Sequence, residues 1–84
     1  MKSKKSITYN GKEIKLPFDD IKDDQRMIET VNEWSGEKVF IPKFAKDIFN
    51  KIKKAEIIQD YKTVRKGLDW FQRYFINEYY TLLD

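Results

Sequence analysis

The chain has 84 residues, of which 40% are hydrophobic, 15% aromatic and 37% charged, with three Gly, two Pro, no Cys and no His. That length holds one domain, residues 1–84, around a single small core, and the composition argues for regular structure rather than disorder. The absences exclude disulfides, thiolate nucleophiles, Cys/His zinc sites and any imidazole general base. An enzyme is therefore not expected, because acid-base work at neutral pH would fall on carboxylates, Lys or Tyr with no recognisable arrangement.

The formal charge of +3 conceals four blocks of alternating sign. Residues 1–18 are basic and 19–37 acidic, 38–66 strongly basic and 67–84 mildly acidic. Blocks of this kind predict one basic and one acidic surface, which steer charged partners. Lys outnumbers Arg by fourteen to three, a bias that fits AT-rich coding such as that of a low-GC bacterium or one of its phages. Residues 1–6 read as a flexible basic tail. No apolar stretch follows them as in a signal peptide, and no window approaches the ~20 apolar residues of a membrane span. The reading is cytoplasmic, with no membrane contact.

In chain order, Ile7-Thr8-Tyr9-Asn10-Gly11-Lys12-Glu13-Ile14 predicts a β-hairpin, since Asn-Gly supplies the two positive φ angles of a type I′ turn. That loop pairs Ile7 with Ile14 and Tyr9 with Lys12, puts all four on one face, sets Leu16 beside Lys5, and ends at Pro17. A helix is expected from Asp20 or Asp23 to about Trp34, with Met27, Ile28, Val31 and Trp34 as its buried stripe and Ser35-Gly36 as its stop. Lys38-Val39-Phe40-Ile41 reads as a third strand beside the hairpin. Pro42 suits the first turn of a second helix with Phe44, Ile48, Ile52 and Ala55 inward and Phe49 flanking. A break near 57–60 precedes a last helix, capped by Asp60, whose inward face is Val64, Leu68, Phe71, Phe75, Tyr79 and Leu82. The expected fold is a small α+β domain of order ββαβαα, a hairpin, with or without a third short strand, packed on three helices, the last two either separate or one rod.

Four constellations invite a chemical reading. The acids Asp19, Asp20, Asp23 and Asp24 lack the Gly and the bidentate Glu of an EF-hand, so they read as helix-terminal charge, and no metal or cofactor is predicted. Glu13-Ile14-Lys15 resembles the E-x-K element of two-metal nucleases, but no upstream Asp accompanies it, so no catalytic residue is assigned. Among the aromatics of the last helix, Phe71, Phe75 and Tyr79 belong to the core stripe. Trp70, Tyr74 and Tyr80 fall outside it, and are either covered by the hairpin or first helix or exposed as a protein-interface patch.

The basic block supplies the strongest functional expectation. Lys43, Lys46, Lys53 and Lys54 on one helix and Lys62, Arg65, Lys66 and Arg73 on the next form candidate phosphate contacts, and the shortage of Arg favours backbone contact over base readout. Residues Lys62 to Phe71 locally resemble the recognition helix of GntR-type winged-helix repressors, which often carry a Thr-Val-Arg stretch. The resemblance covers about ten residues and implies that Thr63, Arg65 and Lys66 face a DNA groove, with the Phe44–Lys54 helix in support. It departs from the family in lacking a following wing hairpin, in placing its hairpin at the opposite end, and in a connection through Ile57 and Ile58 that reads as long for such a turn. The expected function is a small nucleic-acid-binding accessory protein. The alternative is a protein-binding inhibitor or adaptor of a phage or mobile element, meeting an acidic or other protein surface through exposed aromatics, the hairpin edge or the acidic helix. Self-association through the aromatic helix would give a homodimer.

Overall fold

The computed structural model describes residues 6–83. Its elements are β1 (Ser6–Tyr9), β2 (Lys12–Lys15), β3 (Met27–Val31), β4 (Lys38–Pro42), α1 (Lys43–Ile57), α2 (Tyr61–Tyr74) and α3 (Ile76–Leu82). The α+β class stands, and the order is ββββααα. Lys5 and most of the expected basic tail lie outside the described residues, while Ser6 already belongs to β1.

Asn10 and Gly11 have φ of 51° and 77°, which is the doubly positive geometry of a type I′ turn. The hairpin follows in the expected register, with Ile7 opposite Ile14 and Tyr9 opposite Lys12. Ile7 and Ile14 are buried on its inner face and Tyr9 is half-buried beside them. Two strands alone are marginal in water, so the hairpin depends on what it covers. Its anchor is α2: the Trp70 indole N–H donates to the Lys15 carbonyl at 2.7 Å, and the Lys15 amide donates to the Tyr74 hydroxyl at 3.3 Å.

The segment expected to be the first helix is instead a loop followed by a strand. β3 pairs antiparallel with β4, Ile28 opposite Ile41 and Thr30 opposite Val39, in a second two-stranded sheet that is not hydrogen-bonded to the first. The physical reasons are local. Four Asp in six residues favour turns that compete with a helix, and Thr30 and Val31 are β-branched. The Lys38–Pro42 strand also needs a partner for its backbone groups, and β3 supplies it. Period-two alternation wins: Ile28 is half-buried and Thr30 buried, whereas Met27, Glu29 and Val31 are exposed. Trp34, expected in the core, is 93% exposed at the turn. Ser35-Gly36 ends no helix; Gly36, at φ 78°, closes the β3–β4 turn and donates to the Asn32 carbonyl.

α1 begins where β4 ends, with Pro42 as its N-cap residue and no side-chain cap. The Lys43 and Phe44 amides, orphans at any helix start, donate to the carbonyls of Arg26 and Asp24 at 2.8 and 2.9 Å. The irregular acidic segment thus does the work of a cap. Phe44, Ile48, Ile52, Ala55 and Phe49 are all buried, as their spacing predicts. The last helix breaks at Phe75, whose φ and ψ of −139° and 57° leave helical space. The apolar stripe continues through the break: Phe71, Phe75 and Leu82 are buried, while Val64, Leu68 and Tyr79 are half-buried. α3 turns onto β4, and the Asn32 side-chain amide donates to the Thr81 carbonyl at 2.8 Å. At the centre, the Phe44 ring meets Tyr9, Trp70 and Phe75 with centroids 5.4 to 6.2 Å apart. Among the described residues no helix is long and apolar enough to cross a membrane.

Candidate nucleic-acid interface

α1 and α2 are separate helices joined by only three residues, Ile58, Gln59 and Asp60, which corrects the expectation of a long connection. Gln59 takes the left-handed conformation at φ 61°. The Asp60 amide donates to the Ala55 carbonyl and the Gln59 amide to the Glu56 carbonyl, the bonding of a Schellman motif with Gln where Gly is usual. Asp60 then caps α2: its carboxylate accepts from the Thr63 amide at 3.3 Å and the Thr63 hydroxyl at 2.7 Å. These bonds, that from the Thr63 side chain foremost, hold the Asp60 carboxyl below its ordinary pKa. Gly67 lets the two helices approach. A Cβ there would overlap the Cγ1 of Ile52 and lie 2.7 Å from its Cδ1.

This packing buries one side of α2 and leaves Tyr61, Lys62, Arg65, Lys66, Asp69, Gln72 and Arg73 exposed on the other. Thr63 is half-buried with its hydroxyl engaged by Asp60, so it does not stand with Arg65 on the open face. Among the described residues, Lys62, Arg65, Lys66 and Arg73 have no carboxylate within 4 Å. Arg73, Lys66 and Lys15 of β2 flank a shallow depression of about 200 Å³ that Asp69 also lines. Lys12 lies beyond it, across a second depression shared with Arg73. The basic face therefore extends onto the hairpin. Lys12 and Lys15 were hidden from sequence reasoning because they lie 47 or more residues from Lys62 and come beside α2 through the tertiary fold, where Lys15 is bonded to Trp70 and Tyr74.

Most cations of α1 are already engaged. Lys43 is paired with Asp47 at 2.6 Å, and Lys53 with Glu56 at 3.7 Å. Lys46 and Lys53 both lie over the Phe49 ring. They line a groove with β3 residues, on the flank away from Lys51, which sits about 200° around the helix from Lys53. Lys51 pairs with Asp20 at 2.7 Å, a hydrogen bond that lowers the Asp20 pKa, and it shares the Phe18 ring with Lys66. Lys54 is exposed between the two flanks.

The acidic run is dispersed in the same way. Asp24 accepts a bidentate fork from Arg26, with contacts of 3.0 and 2.7 Å, which lowers the Asp24 pKa and raises that of Arg26. Asp23 accepts from the Gln25 amide at 2.9 Å. No helix lies there for these acids to cap. Of the aromatics held as interface candidates, Trp70 is 5% exposed and Tyr74 half-buried under the hairpin, so the covered alternative is the one adopted. Tyr80 alone of the three is exposed, at 59%. Other large apolar groups stand open instead, Trp34, Ile57, Ile58, Tyr61 and Phe40 among them. Compared with models of known protein families, with curated proteins and with solved structures, the chain matches none.

Proposed function

We propose that this chain is a non-enzymatic accessory protein that binds nucleic acid by its phosphate backbone, gripping it with the exposed face of α2 and with Lys15 and Lys12 of the first hairpin. The observation that carries the reading is the state of the α2 cations: Lys62, Arg65, Lys66 and Arg73 are exposed and, among the described residues, without carboxylate partners. A cation already paired gives little to a phosphate, whereas a free one releases condensed counterions and gains the full interaction. Two helices joined by a three-residue turn, the second with an exposed polar face, share their connection length with the helix pairs that present a helix to a duplex, which supports the reading. Arg65, near the start of α2 and fully on the open side, is the best placed for groove contact, and the Lys around it supply backbone attraction.

Fluorescence anisotropy with short single- and double-stranded DNA and RNA across a salt series tests this reading. Binding that weakens linearly in log salt is expected. The variant Lys62→Gln/Lys66→Gln/Arg73→Gln should lower the slope by about 2 to 3, close to one counterion per lost cation. Lys43→Gln, at a cation already paired with Asp47, should leave the slope unchanged. Absence of binding to every probe at low salt, or a triple variant that binds as the parent does, would overturn the proposal and leave an acidic protein surface as the partner of this face.

A further inference from the structure

The groove between β3 and α1 has a volume of about 540 Å³ and an apolar floor of Val31 and Phe49. At its margin stand Trp34, 93% exposed, and Ile57, 82% exposed. An indole and a sec-butyl group left in water beside an empty groove form the kind of patch that marks an association surface. Trp34 is not carried on a loose tip. Its amide donates to the Asn32 side-chain oxygen at 2.8 Å, and the amide nitrogen of that same side chain is tied to the Thr81 carbonyl of α3. The backbone that presents the indole is thus fixed beforehand, which lowers the ordering cost of docking.

The charges around the groove say what docks there. Glu29 and Glu33 on the β3 side face Lys46 and Lys53 on α1 across it, and Glu56 stands beside Lys53 on the α1 side. A groove of one sign would select a partner of the other and repel its own copy. This rim carries both signs, and a two-fold interface needs a surface complementary to itself. Its charges are also incompletely used within the chain. Lys53 has Glu56, but among the described residues Lys46 has no carboxylate within 4 Å, and Glu29 and Glu33 have no cation.

We propose that a second copy of this chain docks on this groove, forming a two-fold dimer in which each Trp34 packs into the other copy's groove and each Lys46 meets the other copy's Glu29 or Glu33. The groove lies on the flank of α1 away from Lys51, and none of the α2 cations lines it. A dimer closed here therefore leaves both α2 faces open. The proposal does not rest on the nucleic-acid reading.

Sedimentation equilibrium on the intact protein, without nucleic acid and up to about 1 mM, tests it, with tryptophan emission recorded over the same range. The wild type should pass from monomer to twice the monomer mass. Its emission should shift to shorter wavelength as Trp34 leaves water, Trp70 being buried throughout. Trp34→Gln and Ile57→Gln change side chains that are 93% and 82% exposed, so the fold should persist by circular dichroism and thermal melting. Each should weaken dimerisation at least tenfold. Lys46→Glu should weaken it likewise, and adding Glu33→Lys should restore part of it. A wild type that stays monomeric across the range would overturn the proposal and assign the groove to a different chain. A dimer that forms equally well in both the Trp34 and Ile57 variants would also overturn it, by placing the contact on another face such as that around Tyr80.

Discussion

α1 and α2 are of similar length and similarly basic, yet they stand in opposite relation to the rest of the molecule. α1 buries six of its fifteen residues and has most of its cations engaged, Lys43 by Asp47, Lys51 by Asp20 and Lys53 by Glu56. α2 buries three of fourteen, and among the described residues its cations have no carboxylate within 4 Å. The difference comes from the carboxylates within reach of each helix, partly its own and partly those of its neighbours. α1 carries Asp47 and Glu56 one turn from Lys43 and Lys53, and the acidic loop adds Asp20 beside Lys51. α2 lies at the margin, held by α1 on one side and by the first hairpin on another, and its outer face is exposed among the described residues. A count of Lys and Arg is therefore a poor guide to a binding surface. The informative count is of cations that the fold leaves without partners.

The comparison breaks most visibly at Trp70, where α2 ceases to be a marginal helix and becomes the support of the first hairpin. Its indole is 5% exposed, stacks edge-on to Phe44 and Phe71, and donates to the Lys15 carbonyl. Trp70→Ala removes the ring contacts and that hydrogen bond together and should cost about 3–5 kcal/mol. This is a large share of the stability of a domain this size. Chemical denaturation should show a strongly lowered midpoint with the hairpin signals lost first. A Trp70→Ala protein as stable as the parent would mean that the hairpin is held by other contacts. The same variant is useless as an interface probe, because a loss of binding would report unfolding.

Gly67 sharpens the comparison, since it is the point at which α2 depends on α1 for its position. Gly67→Ala gains about 1 kcal/mol of helix propensity but drives a methyl into Ile52, which is fully buried and has no free direction. Overpacking of that kind costs about 1–3 kcal/mol, so a net loss of up to about 2 kcal/mol is expected. Thermal melting should show it as a fall of several degrees. Ile52→Ala alone leaves a cavity, but the double variant should be less destabilised than the sum of the two, because the new methyl occupies space that the isoleucine vacates. Strict additivity would show that the helices separate on substitution rather than repack.

The regions legible in the sequence are those where one local signal decided the outcome. Asn10-Gly11 admits few conformations, and the hairpin register follows from it. The stripe from Phe44 to Ala55 has no competing period, and it is buried as read. Residues 20–34 failed because two periods coexist there: Met27, Ile28, Val31 and Trp34 fit a helix, while Ile28 and Thr30 alternate with Met27, Glu29 and Val31 as in a strand. The decision came from Val39 and Ile41, whose strand needed a partner. The α1–α2 break lies at 57–60 with Asp60 as cap, as read, but its tightness was missed because Gln59 adopts a conformation that sequence reasoning reserves for Gly or Asn. On the proposed interface, the exposure of Lys62, Arg65, Lys66 and Arg73 was legible from helical spacing. Lys12 and Lys15 were not, since their place beside α2 depends on a tertiary hydrogen bond. Nor was the neutralisation of Lys51, whose partner lies 31 residues away.

The smallest expected effect concerns the cap that starts α2. With few buried residues, this helix depends more on its N-terminus than α1 does, and the Asp60 carboxylate satisfies the Thr63 amide while sitting at the positive end of the helix dipole. Its pKa is lower in the folded chain than in the unfolded one, so its contribution is present above the unfolded value and is lost as pH falls through the folded one. Asp20 and Asp24 titrate in the same direction, so the acid limb of the wild type alone does not isolate the cap. Asp60→Asn does: it keeps a side-chain oxygen as acceptor and removes the charge. At neutral pH the variant should melt slightly below the parent, and the gap should close below about pH 4 as the wild-type carboxylate takes up its proton. Charge at the cap is then the cause of the difference. A gap independent of pH would instead assign it to geometry, with the Asn amide unable to reproduce the bond to the Thr63 hydroxyl.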